Sequence, residues 1–242
     1  MSIQSEIREQ VSTKPEGVVF GYDTFSRYRH APDAVMKAVG RLVNAGEVRR
    51  LSKGLFYRPR RGRLGELPPS DSEKLKALLW RDGRRIGYVT GTSLYNRLGL
   101  TSQMPMVVTL AWTGAAMTRD MGSLKVRLIK SVAPVSDENI PLLELLDILK
   151  SVEAVPDAQP DDVLSYVKNS LSRLDRMAVQ NMACLAKGYY PPRVRALLGM
   201  LLDGAGYKEH AAVLRRTLNP VSRYRVQLTA AKWPDRAAWN VI

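Results

Sequence analysis

Between Ala31 and Pro59 the chain reads APDAVMKAVGRLVNAGEVRRLSKGLFYRP, and its hydrophobic period changes once, at Gly46. Before that glycine, Val35, Val39, Leu42 and Val43 recur at helical spacing, while Asp33, Lys37, Arg41 and Asn44 fall on another face. Pro32 suits a first helical residue, where its missing N–H costs nothing, and Gly46 suits a left-handed stop. Together they frame one helix of about four turns. After the glycine, Val48 to Leu51 and Leu55 to Arg58 read as two short strands, joined at Ser52, Lys53 and Gly54, where glycine can take positive φ. A helix with an apolar face and a mostly basic face, followed at once by a basic β-hairpin, is a winged helix-turn-helix pattern.

Charge follows the same stretch. The 242 residues carry a net charge of +14, which speaks to partners rather than to fold. Residues 1–64 hold 13 Lys/Arg against 6 Asp/Glu, residues 65–155 hold 11 against 10, and residues 156–242 hold 13 against 7. The first segment is the densest, with 11 bases between Arg27 and Arg63 against only Asp33 and Glu47. A basic patch that overlaps a winged-helix pattern points to nucleic acid more firmly than either alone.

The flanks complete the module. Ser2 can cap a first helix through about Gln10, with Ile3, Ile7 and Val11 turned inward. Val18 to Phe20 suit a strand, and Asp23 and Thr24 can cap a second short helix anchored by Phe25. The expected core is Ile7, Phe20, Phe25, Val35, Val39, Leu42, Leu51 and Tyr57. The expected DNA-binding set comprises Asp33, Lys37 and Arg41 in the groove and Lys53 with Ser52 at the wing tip. Arg27, Tyr28, Arg29 and His30 would flank the recognition helix, with Arg49, Arg50 and Arg60 on the hairpin and beyond it. Residues near a helix N-terminus reach bases, while flanking groups reach phosphates.

Arg58 to Pro69, RPRRGRLGELPP, has no period and reads as a linker. Domains are therefore expected at 1–64 and 70–242, the second with an α/β part over 70–135 and a helical part over 139–242. In the α/β part, Ser70 or Asp71 caps a helix through about Arg81. Ile86 to Thr90 and Met106 to Trp112 read as strands around a short helix from Thr92 to Leu98. Leu124, Val126 and Leu128 alternate with charged residues as a half-exposed strand. Leu142 to Leu149, Val163 to Lys187, Arg193 to Asp203 and Lys208 to Leu218 are helical, and Tyr224 to Leu228 alternates like a strand. The expected class is α+β: an N-terminal winged helix-turn-helix, a small α/β unit and a mostly helical C-terminal region.

Three stretches carry a family likeness. IREQVSTKPEGVVFGYDTF followed by AVGRLVNAGEVRRLSKGLFYRP resembles the N-terminal domain of AbiEi-type antitoxins of bacterial type IV toxin–antitoxin systems. TGTSLYNRLGLTSQMP resembles the middle of the same family, and RVRALLGMLLDGAG with LNPVSRYRV its helical C-terminus. The sequence departs from the family at Ala31, where Ser or Thr is expected as helix cap. The resemblance implies an antitoxin that neutralises a co-encoded nucleotidyltransferase-like toxin without a stable complex, and that represses its own operon by binding double-stranded operator DNA. A transcriptional regulator with a ligand-sensing or dimerising C-terminal region and no toxin partner stays open beside it, as do an RNA-binding or structural adaptor that uses the same basic surface and a homodimer on DNA.

Residues for catalysis do not assemble. His30 and His210 are far apart and sit in no metal-binding motif. Asp157, Asp161 and Asp162 read as carboxylates at a helix start, and Glu144 with Asp147 as a solvated pair on one helix face. Thr90 to Ser93 opens a helix after a strand and reads as capping rather than as an anion site. The lone thiol, Cys184, reads as a small buried apolar residue. No enzyme activity, cofactor or metal is expected. No apolar run reaches the roughly 18 residues of a membrane span, and MSIQSEIREQ is charged rather than a signal peptide. A cytoplasmic protein with no membrane partner is expected.

Overall fold

The computed structural model describes residues 2–63 and 65–242. Met1 and Leu64, the latter the expected end of the first domain, lie outside the described residues. The class is α+β: short sheets interleaved with helices as far as Lys130, then helices. By its internal contacts the chain divides into two compact units. The first runs to Ile86 and takes in Met117–Arg127; the second is Gly87–Ala116 with Leu128–Ile242. No helix among the described residues is long and apolar enough to cross a membrane.

In the first unit, helix α1 (Ile3–Ser12) starts at Ser2, whose Oγ accepts from Ser5 N at 3.2 Å. Strand β1 (Val19–Gly21) follows, then two 3-10 turns, Tyr22–Thr24 and Ser26–Arg29, where a second short helix was expected. Thr24 turns its Oγ1 onto the Gly21 carbonyl at 2.8 Å and so caps no α-helix. Helix α2 (Pro32–Asn44) has Pro32 in its first turn and no side-chain cap at Ala31. It ends as expected: Gly46 has φ +75°, and Glu47 N returns to Leu42 O at 3.0 Å.

Strands β2 (Arg49–Ser52) and β3 (Leu55–Tyr57) form the hairpin, and the antiparallel sheet has the order β1-β3-β2. Register decides which side chains enter the core. Phe56 pairs with Phe20 on one side and with Arg50 on the other, and its ring is 1% exposed. The cluster is Ile7, Val11, Phe20, Phe25, Val35, Ala38, Val39, Leu42, Val48 and Phe56. Leu51 and Tyr57, expected inside, are only half-buried. For Tyr57 the reason is that side chains alternate along β3 and Phe56 takes the inward position; Leu51 lies on β2 where the register shifts between Arg50 and Ser52.

The expected linker is folded. Strand β4 (Arg60–Gly62) pairs antiparallel with β5 (Gly65–Leu67), and Gly17 N donates to Arg58 O at 2.9 Å. Arg58 in turn donates to the carbonyl of Ser12 at 2.9 Å. Arg58, and Glu66 through its ion pair with Arg49, therefore fasten to the N-terminal module, and the expected limits of 1–64 and 70–242 are not those of the compact units. Helix α3 (Asp71–Leu79) is capped by Ser70 Oγ, which accepts from Glu73 N at 3.3 Å. It stops short of Arg81 because Trp80–Arg81 (β6) and Arg84–Arg85 (β7) form a hairpin around Asp82 and Gly83, both at positive φ.

In the second unit, β8 (Gly87–Thr90) leads through α4 (Thr92–Arg97) to β9 (Val107–Trp112), which pairs antiparallel with β8. From Met117 the chain is back in the first unit, where β10 (Met117–Asp120) turns at Gly122 into β11 (Lys125–Lys130). The last three residues of β11 belong to the second unit again. Helices α5 (Ile140–Lys150), α6 (Pro160–Leu171), α7 (Arg176–Tyr189), α8 (Pro192–Gly204) and α9 (Lys208–Arg215) complete it. Every residue from Ala196 to Leu202 of α8 is buried, so this helix is apolar all round and sits inside the bundle.

Trp239 closes the bundle, 1% exposed, with Nε1 donating to Asp203 Oδ2 at 3.4 Å. Tyr224 to Leu228 make no strand; a single bridge joins Tyr224 to Val241. Cys184 is exposed rather than buried, because α7 turns Met182, Ala183, Leu185 and Ala186 inward and leaves position 184 on the other face.

Candidate nucleic-acid interface

Asp33, Lys37 and Arg41 lie four residues apart on α2 and all three are exposed, opposite the buried Val35, Val39 and Leu42. Arg41 Nη1 donates to Gln4 Oε1 at 3.3 Å, which ties the helix to α1. Lys53 stands exposed at the tip of the β2–β3 hairpin, beside Gly54 at φ +77°. The register shifts between Arg50 and Ser52, so the tip is irregular. Arg50 is exposed, with its guanidinium 5.7 Å from the Phe56 ring centroid.

Other expected contacts are held by partners within the module. Arg27 Nε bonds Glu6 Oε2 at 3.1 Å. Tyr28 stacks on Tyr22, centroids 5.5 Å apart, and packs against the core. Arg49 grips Glu66 with two parallel bonds of 2.8 and 2.9 Å; that fork neutralises its charge and joins β2 to the β4–β5 hairpin. The Arg60 side chain lies over Gly17. Among the described residues, Arg29, Lys37, Arg50 and Lys53 form no ion pair. The charge that points outward is therefore smaller than the composition implies, and it concentrates on α2, the turn before it and the hairpin.

Two features were missed. Lys14 lies 5.1 Å from the Phe20 ring centroid and 5.6 Å from that of Phe25. Burial lowers its pKa, with Asp23 opposing. Arg119 of β10 donates from Nη1 to the Lys53 carbonyl at 2.7 Å and to Ser52 Oγ at 3.4 Å. Neither is flagged by periodicity, because both depend on contacts distant in sequence.

A separate polar site lies within the second unit. Asp147, expected on a solvated face, accepts from Thr90 Oγ1 at 2.8 Å, Tyr88 OH at 3.0 Å and Tyr190 OH at 2.9 Å. Tyr88, Thr90 and Tyr190 are all buried. Burial pushes the Asp147 carboxyl above the usual carboxylate range, against the hydrogen bonds that favour its ionised form. Burial raises both phenols as well. The cavity beside it holds about 160 Å³ and is lined by Tyr95, Thr109, Lys130, Lys150 and Ser151 among others, which is room for a molecule about the size of benzene. Asp161 and Asp162 do lie in the first turn of α6, and Asp161 also accepts from Trp233 Nε1 at 3.0 Å.

A family model described as "Family of unknown function (DUF6088)" matches residues 6–140, more than half of the chain. The chain belongs to the DUF6088 family. No curated protein matches it. Among solved structures, the DUF6088 chain is similar to the RV2827C protein from Mycobacterium tuberculosis, at 14% identity and a TM-score of 0.51, over 98% of this chain and 89% of that one. At that identity the likeness is one of fold.

Proposed function

We propose that this DUF6088 protein binds double-stranded operator DNA through a winged helix-turn-helix built from α1, the 3-10 turns, α2 and the β1-β3-β2 sheet. In this reading α2 is the recognition helix and the β2–β3 hairpin is the wing. The observation that carries it is the exposed row Asp33, Lys37 and Arg41, set back to back with the buried stripe of the same helix. A row of that kind next to an exposed lysine at a hairpin tip fits a helix in the major groove with phosphate contacts beside it. We further propose, from the resemblance to AbiEi antitoxins, that the protein represses its own operon and neutralises a co-encoded nucleotidyltransferase-like toxin without forming a stable complex. It is assigned no catalytic role.

A regulator that senses a ligand is the second reading, favoured by the cavity beside Asp147. Two measurements separate them. Footprinting on the duplex upstream of its own reading frame tests operator binding. Co-expression with the neighbouring gene under a heterologous promoter tests neutralisation apart from repression. Growth rescue supports the antitoxin; a footprint without rescue leaves the regulator.

A further inference from the structure

Arg119 is separated from Lys53 by 66 positions, yet its guanidinium grips the wing-tip turn at the Lys53 carbonyl and Ser52 Oγ. The hairpin that carries it is itself anchored. Asp71 Oδ1 accepts from Ser123 Oγ and from Lys74 Nζ, each at 2.8 Å, and Lys74 also bonds Ser123. Lys74 and Met121 are each 1% exposed, so the turn of this hairpin is seated against α3. The wing it reaches needs such support: the β2–β3 hairpin is short, its register slips before the tip, and the tip turns on a glycine.

We propose that Met117–Arg127, β10 with the turn after it and the start of β11, belongs to the DNA-binding head, and that Arg119 is a positioning residue that holds the wing tip so that Lys53 meets a backbone phosphate in one orientation. The inference rests on the DNA-binding reading above. An arginine suits the task because a single nitrogen, Nη1, carries two N–H donors and takes a carbonyl and a hydroxyl together. With the tip ordered on folding, its conformational freedom is not lost again on binding.

The test uses the full chain and the duplex upstream of its own reading frame. Arg119→Ala should weaken specific binding about five- to thirty-fold, the range expected from leaving one tip residue to be ordered on binding. It should erase hydroxyl-radical protection under the wing and leave protection under α2 intact. Arg119→Lys, which keeps a charged donor for the same carbonyl, should restore most of the wing protection. In a Lys53→Ala background, Arg119→Ala should have little further effect, because the two act through one contact. Unchanged wing protection in Arg119→Ala, or losses that simply multiply in the double variant, would overturn the inference while leaving DNA binding in place. Absence of any footprint from the native chain would overturn the DNA-binding reading and this inference with it.

Discussion

Adding one methyl group at Gly199 should destabilise the second unit, although alanine is the better helix former. An ideal Cβ at Gly199 would lie 2.1 Å from Cζ3, 2.5 Å from Cη2 and 2.8 Å from Cε3 of Trp239. Carbon atoms pack at about 3.5–4.0 Å, so the indole must retreat by more than about 1 Å. It is buried and tied to Asp203, and the Arg215 guanidinium lies 4.3 Å from its ring centroid. Overpacking costs about 1–3 kcal/mol, of which so close an approach takes the upper part, about 2–3 kcal/mol, and expelling the ring would cost about 3–5 kcal/mol. The helix gains only about 1 kcal/mol from Gly to Ala. Gly199→Ala should therefore lose about 1–4 kcal/mol in urea unfolding followed by far-ultraviolet circular dichroism. In a Trp239→Leu background the same methyl should cost at least about 1 kcal/mol less, since neighbours share the strain. A Gly199→Ala protein as stable as the native chain would refute the packing argument.

Other outcomes follow from the charged groups. Lys37→Ala or Arg41→Ala should each weaken specific duplex binding by about 1–3 kcal/mol if it reads a base edge; identical footprints in both would place recognition elsewhere. Lys53→Ala should flatten the dependence of log K on log salt by about 0.9, with sequence preference nearly intact, and an unchanged slope would remove Lys53 from the phosphate contacts. Asp147 has a raised pKa in the folded state, so its contribution is full below the unfolded value and is lost as pH rises through the folded one. The stability of Asp147→Asn relative to the native chain should accordingly increase with pH above about 4; a constant difference across the pH series would show that burial does not perturb this carboxyl.

The parts of the fold that were legible in the sequence are those whose signals are local. Pro32 and Gly46 bracket α2 as their chemistry requires, and Ser70 caps α3. The strands at Gly87–Thr90 and Val107–Trp112 fall where apolar runs put them. What could not be read depends on distant partners. Strands β4 and β5 expose nearly every side chain, so they carry no alternation, and their pairing is supported by Arg49 and Glu66. Tyr224 to Leu228 has the alternation without a neighbouring strand to use it. Asp147 shares its helix with Glu144 at the spacing of an ordinary surface pair; only Tyr88, Thr90 and Tyr190, brought from elsewhere in the chain, make it special. The same holds at the candidate interface, where Lys37 and Arg41 announce themselves by face and Arg119 does not.

The return of Met117–Arg127 to the first unit bears on how the protein is made. During synthesis the leading module has α1, α2, its three-stranded sheet and its core side chains by Tyr57, but not the strand that carries Arg119. That contact closes a loop spanning 66 positions, whose entropic cost grows only slowly with length. The tip of the β2–β3 hairpin is thus fastened in a late step, after β8 and β9 have been translated. A nascent chain halted before Arg119 carries α2 beside an unbraced β2–β3 hairpin, so such truncations resemble an early folding stage rather than a detached version of the finished unit.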